Sequence, residues 1–133
     1  MQLLDKKILL VEDDNFIGDM FIRKLKAAGA ICARAISGRD GLRQLQEAKY
    51  DFDIIITDVM MAGMDGYEMV QKIKEDESAT NIPIVVLTNR TSLTEENSKI
   101  KDLDTEAFFI KSDTNLSVLV DRLAEITKNK VNN

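Results

Sequence analysis

The chain has 133 residues, 44% apolar and 31% charged, which excludes a disordered or fibrous polypeptide and suits one globular domain with a substantial core. Its net charge of −5, with no basic block, argues against direct binding to nucleic acid or to an anionic membrane surface. The lack of histidine and the single cysteine exclude histidine general bases, histidine-ligated zinc or haem, a Ser-His-Asp triad and an internal disulfide. The opening MQLLDKK has no signal-peptide pattern, and no apolar stretch nears the ~20 residues of a membrane span, so a cytoplasmic location is expected. Cys32, inside AICARAI, reads as a buried structural thiol in a reducing compartment.

In chain order, strand and helix patterns alternate. Lys7–Val11 (KILLV) is a first strand. Asn15 is placed to cap a helix whose apolar face is Ile17, Met20, Phe21, Leu25 and Ala28, with Gly29 as its stop. Ile31–Ile36 is a second strand, interrupted by Arg34, and Ser37 caps a helix carrying Leu42 and Leu45. Strand three covers Asp53–Thr57, and residues 60–65 form a loop. Asp65 then caps a helix with Tyr67, Val70 and Ile73, and residues 78–83 form a polar turn. Ile84–Leu87 is strand four, residues 94–104 a weak polar helix, and Ala107–Ile110 (AFFI) strand five. Asn115 caps a last helix bearing Leu116, Leu119, Val120, Leu123 and Ile126, and the KNKVNN tail is expected to fray. Five strand–helix units predict an α/β fold: a five-stranded parallel sheet, doubly wound, with helices on both faces. The whole of 1–133 reads as one domain with its core over about residues 5–128.

Four strands end in residues suited to phosphate or metal chemistry: Glu12, Asp13 and Asp14 after the first, Asp58 after the third, Thr88 after the fourth and Lys111 after the fifth. Ligands of open α/β sheets bind outside the carboxyl ends of the strands, so these side chains should converge on one edge. Carboxylates there suit Mg2+, a hard cation that takes oxygen ligands and keeps several waters. An aspartate can accept a phosphoryl group as an acyl phosphate. A hydroxyl and an ammonium can neutralise phosphoryl oxygens. Each residue also has a plainer reading. Asp14 or Asn15 can be a helix cap in a solvated loop, Asp58 a turn cap, Thr88 a turn residue and Lys111 a solvated edge charge.

The motifs ILLVEDD (8–14), IIITDVMMAGMDGYEM (54–69), IPIVVLT (82–88) and FFIK (108–111) resemble the receiver domain of bacterial two-component response regulators, single-domain chemotaxis regulators included. The resemblance covers about residues 5 to 128 and implies the flavodoxin-like, CheY-like fold. It implies that Asp58 is the phosphorylated aspartate and that Mg2+ is held by Glu12, Asp13, Asp58 and the backbone carbonyl of Met60. Thr88 and Lys111 would bind phosphoryl oxygens, and Phe108 falls at the family's aromatic switch position. The implied donor is a sensor histidine kinase or a histidine phosphotransfer protein. The output would be a surface of the fourth helix, fifth strand and fifth helix read by a downstream protein target, in a monomer or a phosphorylation-dependent dimer. The start at Met1 and the tail favour a stand-alone receiver.

The chain departs from the family pattern at Ser112, where a cis proline is usual, so the Lys111–Ser112 bond is expected to be trans. Asn89 replaces a very small residue, Ala62 a common proline, and Asp104-Thr105-Glu106 a common Gly-Ala-Asp. Met60, Asn89 and Arg90 occupy positions that tune phosphoryl lifetime; an apolar Met60 and a shielding Arg90 predict slow self-dephosphorylation. The alternatives are a degenerate receiver that binds partners independently of phosphate, and a Mg2+-dependent aspartyl-phosphate phosphatase. The second lacks its acid/base, since Met60 stands where a second aspartate is required. The leading reading makes the chain no enzyme beyond its own phosphoryl transfer and dephosphorylation.

Overall fold

The apolar runs form strands and the amphipathic stretches between them form helices in the computed structural model, which describes residues 1–58, 66–79, 81–88, 107–110 and 115–131; the side chains of Thr88, Ala107, Phe108, Ile110 and 129–131 lie outside that description. The elements are β1 (Lys7–Val11), α1 (Asn15–Ala27), β2 (Ile31–Ala35), α2 (Gly38–Glu47), β3 (Ile54–Asp58), α3 (Gly66–Glu75), β4 (Ile84–Thr88), β5 (Ala107–Ile110) and the C-terminal helix α4 (Leu116–Val131). The helix expected over 94–104 and the Asp65 cap fall outside the described residues.

The strands form one five-stranded parallel sheet in the order β2-β1-β3-β4-β5. Alternation along each strand divides the core into two layers. Ile8, Leu10, Ile54, Ile56, Val85 and Leu87 pack with Phe21 and Leu25 of α1 and Leu119, Leu123 and Ile126 of α4. Leu9, Val11, Ile55, Ile84 and Val86 pack with Leu45 of α2 and Met69, Val70 and Ile73 of α3. Strands buried on both faces must be apolar at nearly every position, which is why KILLV, IIIT and IVVL show no polar alternation. Among the described residues no helix is long and apolar enough to cross a membrane.

Several boundaries differ from the sequence reading. Of the two cap candidates, Asp14 is the one that caps α1: its Oδ1 accepts from Ile17 N–H at 2.9 Å, and Asn15 is the first helical residue. Met20 is 41% exposed, because Gly18, Phe21 and Leu25 form the stripe facing the sheet and Met20 lies about 100° around the helix from Phe21. β2 stops at Ala35 and Ile36 is exposed, while β3 is shifted by one residue, starting at Ile54 and taking in Asp58, and β4 extends by one to take in Thr88. The 78–83 turn is only partly polar: Ala79 and Ile82 are buried in the α2–α3 layer. The backbone at 129–131, expected to fray, continues α4.

The N-terminal segment joins the sheet's lower edge. Leu3 is fully buried, its N–H donates to Ala28 O at 2.8 Å, and Ile31 N–H donates to Lys6 O at 2.8 Å. Gly29 ends α1 with φ +98, a left-handed conformation that a side chain resists, and a Cβ there would stand 2.9 Å from Leu4 Cα.

Candidate functional site

The strand order reverses direction at β1, with β2 on one side and β3 on the other, and in open α/β sheets this is where a ligand crevice forms above the carboxyl ends. Val11 pairs with Thr57, so the next residues along, Glu12 and Asp58, come side by side. Glu12 is fully buried, Asp58 is 2% exposed, and Asp13 faces solvent. Carboxylate oxygens of Glu12, Asp13 and Asp58 all lie within 4.8 Å of one another.

Backbone bonds hold these acids in position. Glu12 N–H donates to Ala35 O at 3.0 Å, extending the β1–β2 connection one residue past the strand. Thr57 Oγ1 donates to Asp58 O at 2.8 Å, fixing the end of β3. The three successive acids split their tasks. Glu12 turns inward, with its Oε2 accepting from Asp14 N–H at 3.3 Å; Asp14 turns to cap α1; Asp13 stands at the mouth of the crevice. The positive end of the α1 dipole lies beside this turn and favours anionic side chains.

Arg34 supplies a contact that sequence reading missed, having taken it for a break in β2. Its Nη2 donates to Glu12 O at 2.9 Å and to Asp14 O at 3.1 Å, its Nε donates to Glu12 O at 3.3 Å, and its Nη1 lies 3.6 Å from Asp19 Oδ1. The only sequence signal was a cation in a strand that should otherwise be apolar. Cys32 is half-buried against the α1–α4 layer and burial pushes its thiol pKa up, the environment of a structural thiol.

Of the other candidates, Thr88 ends β4 and its backbone pairs with Ile110, the residue before Lys111, while Phe108 pairs with Val86; the side chains of Thr88 and Phe108 lie outside the described residues. Met60, Asn89, Arg90 and Lys111 lie wholly outside them, as do Ala62, Asp104, Thr105, Glu106 and the Lys111–Ser112 bond. The described cluster offers hard oxygen donors in a half-enclosed setting, a donor set that fits a divalent cation such as Mg2+. Packing two buried carboxylates beside a third is costly unless a positive charge offsets the repulsion.

The family model for the response regulator receiver domain matches residues 8–124. The chain belongs to this family. The transcriptional regulatory protein YrkP of Bacillus subtilis is 42% identical over 86 residues, 65% of this chain and 35% of that protein. The transcriptional regulatory protein HprR of Escherichia coli is 34% identical over 101 residues, covering 76% of this chain and 42% of HprR. This receiver domain therefore spans well under half the length of these curated relatives. The solved chemotaxis response regulator CheY4 of Vibrio cholerae matches with a TM-score of 0.80 at 31% identity, over 92% of this chain and 98% of that one. The receiver family is phosphorylatable and belongs to two-component phosphorelay signalling, and the crevice of Glu12, Asp13 and Asp58 is this receiver's acidic pocket.

Proposed function

We propose that this receiver takes a phosphoryl group on Asp58 from a sensor histidine kinase or a histidine phosphotransfer protein, in a reaction that requires Mg2+. The observation that carries this reading is the convergence of Glu12, Asp13 and the buried Asp58 at the strand-order reversal of the sheet. The donor histidine lies outside these 133 residues, which contain none. One oxygen of the Asp58 carboxylate forms the new bond to phosphorus as the donor's P–N bond breaks, and the freed imidazole takes up a proton. Bound Mg2+ supplies positive charge against the phosphoryl oxygens. Glu12 and Asp13 would hold it together with Asp58 and the Met60 carbonyl, while Lys111 and the Thr88 hydroxyl would neutralise phosphoryl oxygens. Once Asp58 is phosphorylated, Thr88 is drawn inward and Phe108 follows. The surface built from 94–104, β5 and the C-terminal helix then changes shape for a downstream protein, in a monomer or a phosphorylation-dependent dimer. Met60, Asn89 and Arg90 set the phosphoryl lifetime, which we expect to be long. The whole of 1–133 acts as one receiver unit, in the cytoplasm and without direct contact to nucleic acid or membrane.

Intact-mass measurement after incubation with acetyl phosphate and Mg2+ tests this. Wild type should gain one phosphoryl group, and Asp58→Asn, or wild type without Mg2+, should gain none. A folded wild-type protein that gains nothing would sink the reading in favour of a phosphate-independent binding module.

A further inference from the structure

We propose that Arg34 is a positioning residue for the acidic pocket: its guanidinium sets the β1–α1 turn so that Asp13 is presented beside Glu12 and Asp58, and position 18 is glycine to seat it. The proposal rests on the reading of that cluster as a divalent-cation site. Arg34 holds the carbonyls of Glu12 and Asp14, at 2.9 and 3.1 Å from the same Nη2. These are the carbonyls on either side of Asp13, so the backbone that aims the Asp13 carboxylate is anchored at both ends. Asp14 O also accepts from Gly18 N–H at 2.8 Å, which joins the turn, the first turn of α1 and the guanidinium in one network. The Asp19 carboxylate at 3.6 Å steadies the opposite side of the fork. A planar guanidinium can reach several acceptors at once, which the single ammonium of a lysine cannot match in fixed geometry.

Gly18 gives independent support. It is buried at the end of the first turn of α1, past the cap, where glycine weakens a helix relative to alanine. A Cβ there would stand 2.5 Å from both Cζ and Nε of Arg34 and 2.8 Å from its Nη2. What occupies the space of the missing side chain is the guanidinium itself. Because that group is the mobile end of a long side chain, an alanine would push it aside and leave the helix intact. The charge of Arg34 works against metal binding, since a cation close to a cation site lowers affinity by direct repulsion. Geometry and charge thus predict opposite signs when Arg34 is removed.

Mn2+ titration followed by the electron paramagnetic resonance of the free ion, with folding checked by circular dichroism, separates them. Wild type should bind Mn2+, and Asp13→Asn should weaken binding. Arg34→Gln should weaken it by roughly tenfold, as loss of a group that orients metal ligands does. Arg34→Lys should resemble Arg34→Gln, since charge without the fork does not restore the turn. Gly18→Ala should weaken Mn2+ binding while raising helix stability, and adding it to Arg34→Gln should weaken binding no further. Arg34→Gln binding as tightly as wild type, or more tightly, would overturn the proposal while leaving the cluster reading intact. Equal binding by wild type and Asp13→Asn would overturn the cluster reading and this proposal with it. Should Arg34→Gln fail to fold, Gly18→Ala decides alone, and unchanged affinity there overturns the proposal.

Discussion

Asp40 shows how one side chain reconciles opposing effects. Partial burial works against its charge, but bonds from Arg43, from Ile36 N–H and from Gln44 outweigh that and hold its carboxyl below the ordinary carboxylate range. A pKa lower in the folded than in the unfolded state means that the charged form stabilises the fold. Its contribution is complete above the ordinary value of about 3.9 and fades as pH falls through the lowered value. Asp40→Asn should therefore lower the urea midpoint at pH 7 by under ~1 kcal/mol equivalent, because Arg43 is largely exposed and the pair is screened. The gap to wild type should close as pH falls below about 4. A gap that stays constant down to pH 2 would show that the charge of Asp40 contributes nothing.

Among the described helices, α2 buries the fewest apolar side chains. Its fully buried residues are Gly38, Gly41 and Leu45, and a Cβ on Gly41 would stand 2.8 Å from Met69 Sδ, so close approach to α3 substitutes for bulk. Such a helix depends on its ends. Ser37 Oγ accepts from Asp40 N–H at 3.0 Å while Asp40 Oδ2 accepts from Ile36 N–H at 3.1 Å, a reciprocal pair that satisfies donors on both sides of the helix start. Ser37→Ala should cost about 1 kcal/mol in urea unfolding. Hydrogen exchange should show the loss first in α2 amides, since a weakly packed helix opens below the global unfolding free energy. Uniform change across the protected amides would mean that α2 opens only with the whole domain.

In the whole molecule, both core layers share one sheet, so neither can be lost alone. Among the described residues Phe21 is the largest fully buried side chain, and it lies in the layer that joins α1 and α4 to the sheet. Phe21→Ala should cost about 3–5 kcal/mol, with urea unfolding still a single transition by circular dichroism and tyrosine fluorescence. A separate early transition would mean that the α1–α4 face melts independently of the α2–α3 face. The same shared sheet joins β1 to β3 and so carries the acidic pocket, and loss of α1 packing should therefore weaken cation binding as well.

The alternation of the described strands and helices, the acids that end β1 and β3, and the caps at Ser37 and Asn115 are all legible in the chain. Periodicity and capping depend on residues within one turn or one strand of each other, so they can be read locally. Other features came from distant pairings. That Glu12 lies beside Asp58 follows from β1 sitting between β2 and β3, an order set by burial of apolar surface over the whole sheet. The sequence left the α1 cap open between Asp14 and Asn15 and put Met20 on the apolar face; Asp14 caps and Met20 faces solvent because docking against the sheet sets the start and rotation of the helix. Arg34 reads as an interruption in β2 until the fold brings it against the turn after β1, where Gly18 leaves it room. A side chain whose partners belong to another strand and another helix has no local signature, because its role exists only once those segments pack together.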